Sequence, residues 1–194
     1  MNTPGHHYHS AATFAGGAPR SAERYGDRMT EASIGAAYPS WSHYNTALRE
    51  VVGYMTAEHL AIQPTPDRWP LWASVGHLAC QRVFWLCVFG DAPGAETTPF
   101  TDSGNMCPGD DDLEHVLGPG DLVDALDSTF AIARWCIDTW TLDDLQEVIS
   151  HPGDDRRHTR GWVLQRVFAH DVSHITELNE TLGRQGLPQV DLWE

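Results

Sequence analysis

The stretch Thr159–Pro188, TRGWVLQRVFAHDVSHITELNETLGRQGLP, leaves the chain little freedom. Val163, Val167, His170, His174, Glu177 and Thr181 succeed one another at steps of four and three, so they share one face of a helix. Leu164, Phe168, Ile175, Leu178 and Leu182 form a second seam beside it, and together the two make the wide apolar stripe of a helix buried in a bundle. Gly186 and Pro188 supply the stop. Two imidazoles therefore stand one turn apart where leucine would pack better. At about 5–6 Å between Cβ atoms, both can reach one metal ion.

Three further helical segments precede this one. From Trp41, the residues Tyr44, Leu48, Val51 and Met55 repeat at helical steps, which predicts a helix to near Leu60 with Ser40 or Ser42 as its cap. Pro70 suits the first turn of a second helix, PLWASVGHLACQRVFWLCVF, ending near Phe89; only His77, Gln81 and Arg82 break its apolar character. A third starts near Asp121, a good capping residue, and carries Leu122, Leu126, Thr129, Ala133, Cys136 and Trp140 on one stripe. Residues 1–37 are rich in Gly, Ala, Ser, Thr and Pro and read as a loosely ordered leader to a domain spanning 38–194. His6, His7 and His9 within it could cluster on a metal, or be an accidental His-rich tail. Residues 90–120, with the acidic run DDDLEH, read as a partly ordered cover between the second and third helices. With no strand-rich region and no internal repeat, the expected architecture is all-α, a four-helix bundle.

The charge balance narrows the partners. The formal charge is −15 and all the cations are arginine, so a phosphate backbone would be repelled and a nucleic-acid role is disfavoured. No apolar run reaches spanning length and no signal-type N-terminus occurs, which points to a cytoplasmic protein with no membrane partner. Cys80, Cys87, Cys107 and Cys136 form no CxxC pair and are expected to be reduced core thiols.

Among eleven histidines an HxxxH pair can arise by chance. His77, isolated on the apolar second helix, strengthens the case. Each imidazole could be a satisfied core histidine, but three unsatisfied ones in one core are costly, and a shared divalent cation resolves all of them. Three nitrogens leave at least one coordination position open, the mark of a catalytic site. Glu177 could accept from a ligand imidazole or act as a base; it could equally be a solvent-facing acid or an arginine's partner. Asp171 stands where zinc peptidases of HExxH type need glutamate, so that chemistry is set aside. Arg82 could hold a substrate carboxylate, or pair with one of the many acids. Trp85 and Tyr44, with Trp41 and Trp72, are candidate pocket walls or simply core.

WPLWASVGH, HDVSH and ETLGRQGLPQVDLW resemble the DinB/YfiT-like superfamily over roughly residues 40–193, and RVFWLC and DAPGAETTPFTD resemble an actinobacterial-type branch of it. The resemblance implies an up-down-down-up four-helix bundle with a metal held by three histidines, here His77, His170 and His174. Activities it implies are thiol S-transfer with bacillithiol or mycothiol and mycothiol-dependent maleylpyruvate isomerisation; related domains occur in sulfoxide synthases of ergothioneine assembly. Where the branch reads HxxxHxGE, this chain has Thr176 for the glycine, a branched residue expected to narrow the pocket. The leading expectation is a metal-dependent S-transferase that activates a low-molecular-weight thiol against a small-molecule substrate. A metal-dependent hydrolase or isomerase, and a non-catalytic metal- or metabolite-binding bundle, are the alternatives. Zinc is named first, with nickel, iron, copper or manganese after it. A homodimer is compatible with the resemblance.

Overall fold

The structure, a computed structural model, describes residues 33–100, 107–110, 112–150 and 156–193. The leader lies outside the described residues, His6, His7 and His9 included, except for its last turn. There Ile34–Ala37 form a 3₁₀ turn in which Ile34 is buried and donates its N–H to the Trp140 carbonyl at 3.2 Å. Packing against the bundle thus includes residues before the boundary expected at 38.

Helix α1 spans Trp41–Tyr54 and buries Trp41, Asn45, Leu48 and Val52. It stops short of Leu60 because Met55 is extended and Thr56 opens a new turn, α2 (Ala57–Leu60), its hydroxyl accepting from the His59 N–H. Ser40 precedes α1 but makes no side-chain cap. Helix α3 spans Leu71–Val83 and continues through Phe84–Phe89 as a π-helical turn, which Gly90 ends. A Cβ on Gly90 would sit 2.6 Å from the Leu86 carbonyl oxygen, so no other residue closes this turn without a shift. Helix α4 spans Pro119–Thr139, with Gly118 at its cap. Asp121 serves it from the third position, accepting the Gly118 N–H at 3.1 Å.

The short α5 (Leu142–Gln146) leads into an unexpected two-stranded antiparallel ladder, β1 (Val148–Ile149) with β2 (His158–Thr159). Thr159 then caps α6 (Arg160–Arg184), its hydroxyl accepting from the Trp162 N–H at 3.1 Å. Beyond α6, Gly186 takes the left-handed conformation at φ +66, as the sequence pattern requires. The fold is all-α apart from this ladder. Helices α3 and α6 run antiparallel: His77 lies beside His170 and His174, and Trp85 beside Trp162. No helix is long and apolar enough to cross a membrane among the described residues.

A polar layer divides the core. One apolar cluster holds Trp41, Val83, Phe130 and Val167; the other holds Leu48, Leu78, Leu126 and Ile175. Between them on the four main helices lie Asn45, Arg82, Thr129 and Asp171, all buried. Arg82 donates to Asp171 through Nε and Nη2, and through Nη1 to Asn45 Oδ1 at 2.8 Å and the Leu126 carbonyl at 3.3 Å. Trp41 Nε1 adds a bond to Asp171 at 2.7 Å.

Two expectations are corrected here. Arg82 is wholly buried and all three guanidinium nitrogens are engaged inside the protein, so it is a core partner of Asp171 and is not placed to hold a substrate. Cys80 and Cys107 are joined as a disulfide and are not reduced core thiols. Cys87 and Cys136 remain thiols, and burial pushes the Cys87 pKa up to about 11 and raises that of Cys136 as well. The bridge closes a loop of sequence separation 27, which corresponds to about 3–4 kcal/mol of unfolded-chain entropy. Cys107→Ser is expected to lower the unfolding free energy by that order in denaturant titrations without reductant. With reductant present, wild type and variant should converge.

Candidate metal centre

His170 and His174 project from α6 at the margin of its buried stripe, toward α3, where His77 is only 6% exposed. The His77 ring centre lies 5.1 Å from that of His170 and 5.2 Å from that of His174. The Nε2 atoms of His170 and His174 approach to 3.1 Å. Two nitrogens bound at about 2.0–2.1 Å to one tetrahedral zinc would be about 3.3 Å apart, so this pair already has the spacing of a shared ion. One ligand atom from each of the three histidines lies within 4.8 Å of the others.

Burial sets the charge state. It pushes the His77 pKa down to about 4 and that of His170 to about 3, the neighbouring histidines adding to the effect. His174 is lowered by burial too, against the raising influence of Glu177 and Asp171. All three rings are therefore neutral near pH 7, the form a metal needs. The buried Nδ1 of His170 has no hydrogen-bond partner. The donor set fits a divalent ion of zinc type: three neutral imidazoles supply three of the four ligands such an ion takes.

The surroundings orient the rings. His77 turns Nδ1 toward the loop after the disulfide, 3.4 Å from Asp110 Oδ2 and 3.8 Å from Cys107 Sγ, with the Pro108 backbone also bonded to it. That leaves Nε2 available to a metal ion. Trp69 packs on the same ring at 4.9 Å. Two glycines allow the loop to come so close. A Cβ at Gly76 would meet Pro108 at 2.9 Å, and one at Gly109, where φ is +87, would meet the Trp69 ring at 2.7 Å. Part of the acidic segment thus does cover the site. Its residues carry no periodic signal, and only the cysteine pairing could have pointed to them.

Glu177 Oε2 lies 3.3 Å from Nδ1 of His174, while Oε1 lies 3.9 Å from Arg68. Trp85 is buried on the π turn, its Nε1 donating to Gln81 Oε1 at 3.0 Å. Tyr44 stacks on Phe168, which also meets Trp41, on the side of α6 turned to α1. This places Tyr44 with the α1 aromatics and not beside the imidazoles. Trp41 and Trp72 are core residues. Thr176 is exposed and donates its hydroxyl to the Val172 carbonyl at 2.8 Å, so its branch does not fill the space between the imidazoles. A groove of about 450 Å³ between α1 and the C-terminal segment is lined by His43, Val51, Tyr54 and Leu187, and none of the three imidazoles borders it.

Fold and site together define a helical-bundle protein with a cluster of three imidazoles between two of its helices. The sequence profile of the DinB superfamily matches residues 43–178. The chain belongs to that superfamily. A solved structure of a DinB-like protein from Bacillus cereus ATCC 10987 has the same fold, with TM-score 0.60 and 17% identity over 82% of this chain and 96% of that one. Comparison with curated proteins gives no match.

The shifted histidines make the ion-free protein acid-sensitive. Their folded pKa values lie below the unfolded value of about 6.5, so the unfolded chain binds more protons between roughly pH 6.5 and 4. This contribution to stability is present above pH 6.5 and lost as pH falls through that window. For metal-free protein, His77 and His170 should each contribute a slope of up to about 1 kcal/mol per pH unit, checked by denaturation at a series of pH values. His77→Leu should flatten the curve.

Proposed function

We propose that this chain is a metal-dependent enzyme, with a divalent ion held by His77, His170 and His174, that joins a low-molecular-weight thiol to an electrophilic small molecule. The observation that carries this reading is the 3.1 Å approach of two neutral Nε2 atoms on α6 with a third imidazole facing them from α3. A bound zinc ion would lower the pKa of a thiol at the open position, so that the thiolate is present at neutral pH. Asp110 and the Pro108 backbone lie at Nδ1 of His77, and Glu177 at Nδ1 of His174, so the other nitrogen of each ring would be the one to hold the ion. Glu177 meets the far nitrogen of His174, and its part is accordingly to position that ring.

The test begins with elemental analysis of protein purified without a nickel column. The expected result is close to one zinc per chain, with nickel, iron, copper or manganese as other occupants. Metal-replete protein is then mixed with bacillithiol- or mycothiol-type thiols and candidate electrophiles, and conjugates are sought by mass spectrometry. Products hydrolysed or isomerised without thiol would favour water-based chemistry at the same centre. A protein without stoichiometric metal would leave only a binding bundle.

A further inference from the structure

Beyond the imidazoles, the facing sides of α3 and α6 carry a cationic, aromatic patch. Trp162, Arg166, His170 and His174 follow at i, i+4 along α6, opposite His77, Gln81 and Trp85 at the same spacing along α3. The Arg166 guanidinium lies over the Trp85 ring at 4.5 Å and near Trp162 at 5.6 Å. Arg156 lies over Trp85 at 5.7 Å, and His158 stacks flat on Trp162 at 3.7 Å. The platform is fixed in advance, since Trp85 is buried and Gln81 holds its indole N–H.

What stands out is the company Arg166 keeps. The chain has 27 acidic residues against 12 arginines. Arg49, Arg68, Arg82, Arg134, Arg160 and Arg184 each pair with one of those acids. Arg166 is exposed and makes no ion pair among the described residues; its guanidinium rests on two indole faces. Burial lowers its pKa, and the charge of Arg156 adds to the effect. A guanidinium stacked on an aromatic face keeps its N–H edge free, and that edge matches a carboxylate with two parallel bonds.

We propose that Arg166, seated on Trp85 and Trp162, is an anion site for the small-molecule substrate. That substrate would carry a carboxylate about 5–6 Å, one helical turn, from the end that reacts at the imidazoles, with an apolar or aromatic body against the exposed part of Trp162, while the buried Trp85 supports the guanidinium from beneath. Where the reacting end lies rests on the metal-centre reading above; the anion site does not.

Phenylacetate and phenylacetamide serve as probes, titrated into metal-replete full-length protein and followed by calorimetry and tryptophan fluorescence. Wild type should bind the acid at least about 10-fold more tightly than the amide, the worth of a charge-assisted pair. Arg166→Gln should abolish that preference without changing metal content or helicity, and Arg166→Lys should keep only part of it. Equal binding of both probes by wild type would overturn the proposal. So would a preference that survives in Arg166→Gln, because the carboxylate would then sit on the metal or another cation. Repeating the titration after chelation separates the two readings: an Arg166-dependent preference that survives chelation upholds the anion site whether or not the chain proves to be a metalloenzyme.

Discussion

Arg82→Met is expected to lower the unfolding free energy by about 3–5 kcal/mol, because it strands the Asp171 carboxylate inside the core without its counter-charge. Asp171→Leu should cost a similar amount by stranding the guanidinium. The double variant Arg82→Met/Asp171→Leu should cost less than the sum of the two, since it removes both buried charges and leaves the Trp41 indole N–H without its acceptor and Asn45 Oδ1 without its donor, at about 1–3 kcal/mol each. Denaturant titration of the four proteins closes the cycle, and additive losses would show that the layer is not a coupled unit. What the layer supplies beyond energy is alignment. A one-turn slide of any main helix would carry its polar member into an apolar cluster.

His170→Ala is expected to weaken metal binding by more than about 100-fold, since outer partners of a ligand alone are worth about 10–100-fold. Competition against a chromophoric chelator measures this directly. The fold should survive: His170 sits at the margin of the stripe, and the side chain removed leaves no buried charge behind at neutral pH. An unchanged metal affinity in His170→Ala and His77→Ala would refute the proposed centre. Glu177→Gln, which preserves shape and removes only charge near His174, should give a much smaller loss than either.

The three imidazoles were legible in the sequence because helical periodicity exposes a polar residue on an apolar face. The same logic extends one step further than the sequence reading took it. Asp171 occupies the place between Phe168 and Ile175 in the second apolar seam of α6, and a carboxylate there announces a buried cation. Arg82 is that cation, and its other sequence reading, a partner for an acid, is the one the fold realises. Cys107, Pro108 and Asp110 were beyond reach for a different reason. They approach His77 across a loop, and contacts made by irregular backbone leave no repeat in the chain. The break between α1 and α2 was missed because the Tyr44–Met55 spacing continues through a residue whose backbone is already extended.

His77 stands on α3 and its two companions on α6, with the whole of α4 intervening along the chain. An ion shared by the three would find no assembled partner set in the denatured ensemble and would bind the native state alone. On the proposed reading the melting temperature becomes a function of free ion concentration, with about 2.7 kcal/mol gained when that concentration reaches 100 times the dissociation constant. Heat-denaturation scans over a series of buffered zinc levels would therefore act as a titration of this one long-range meeting of α3 and α6.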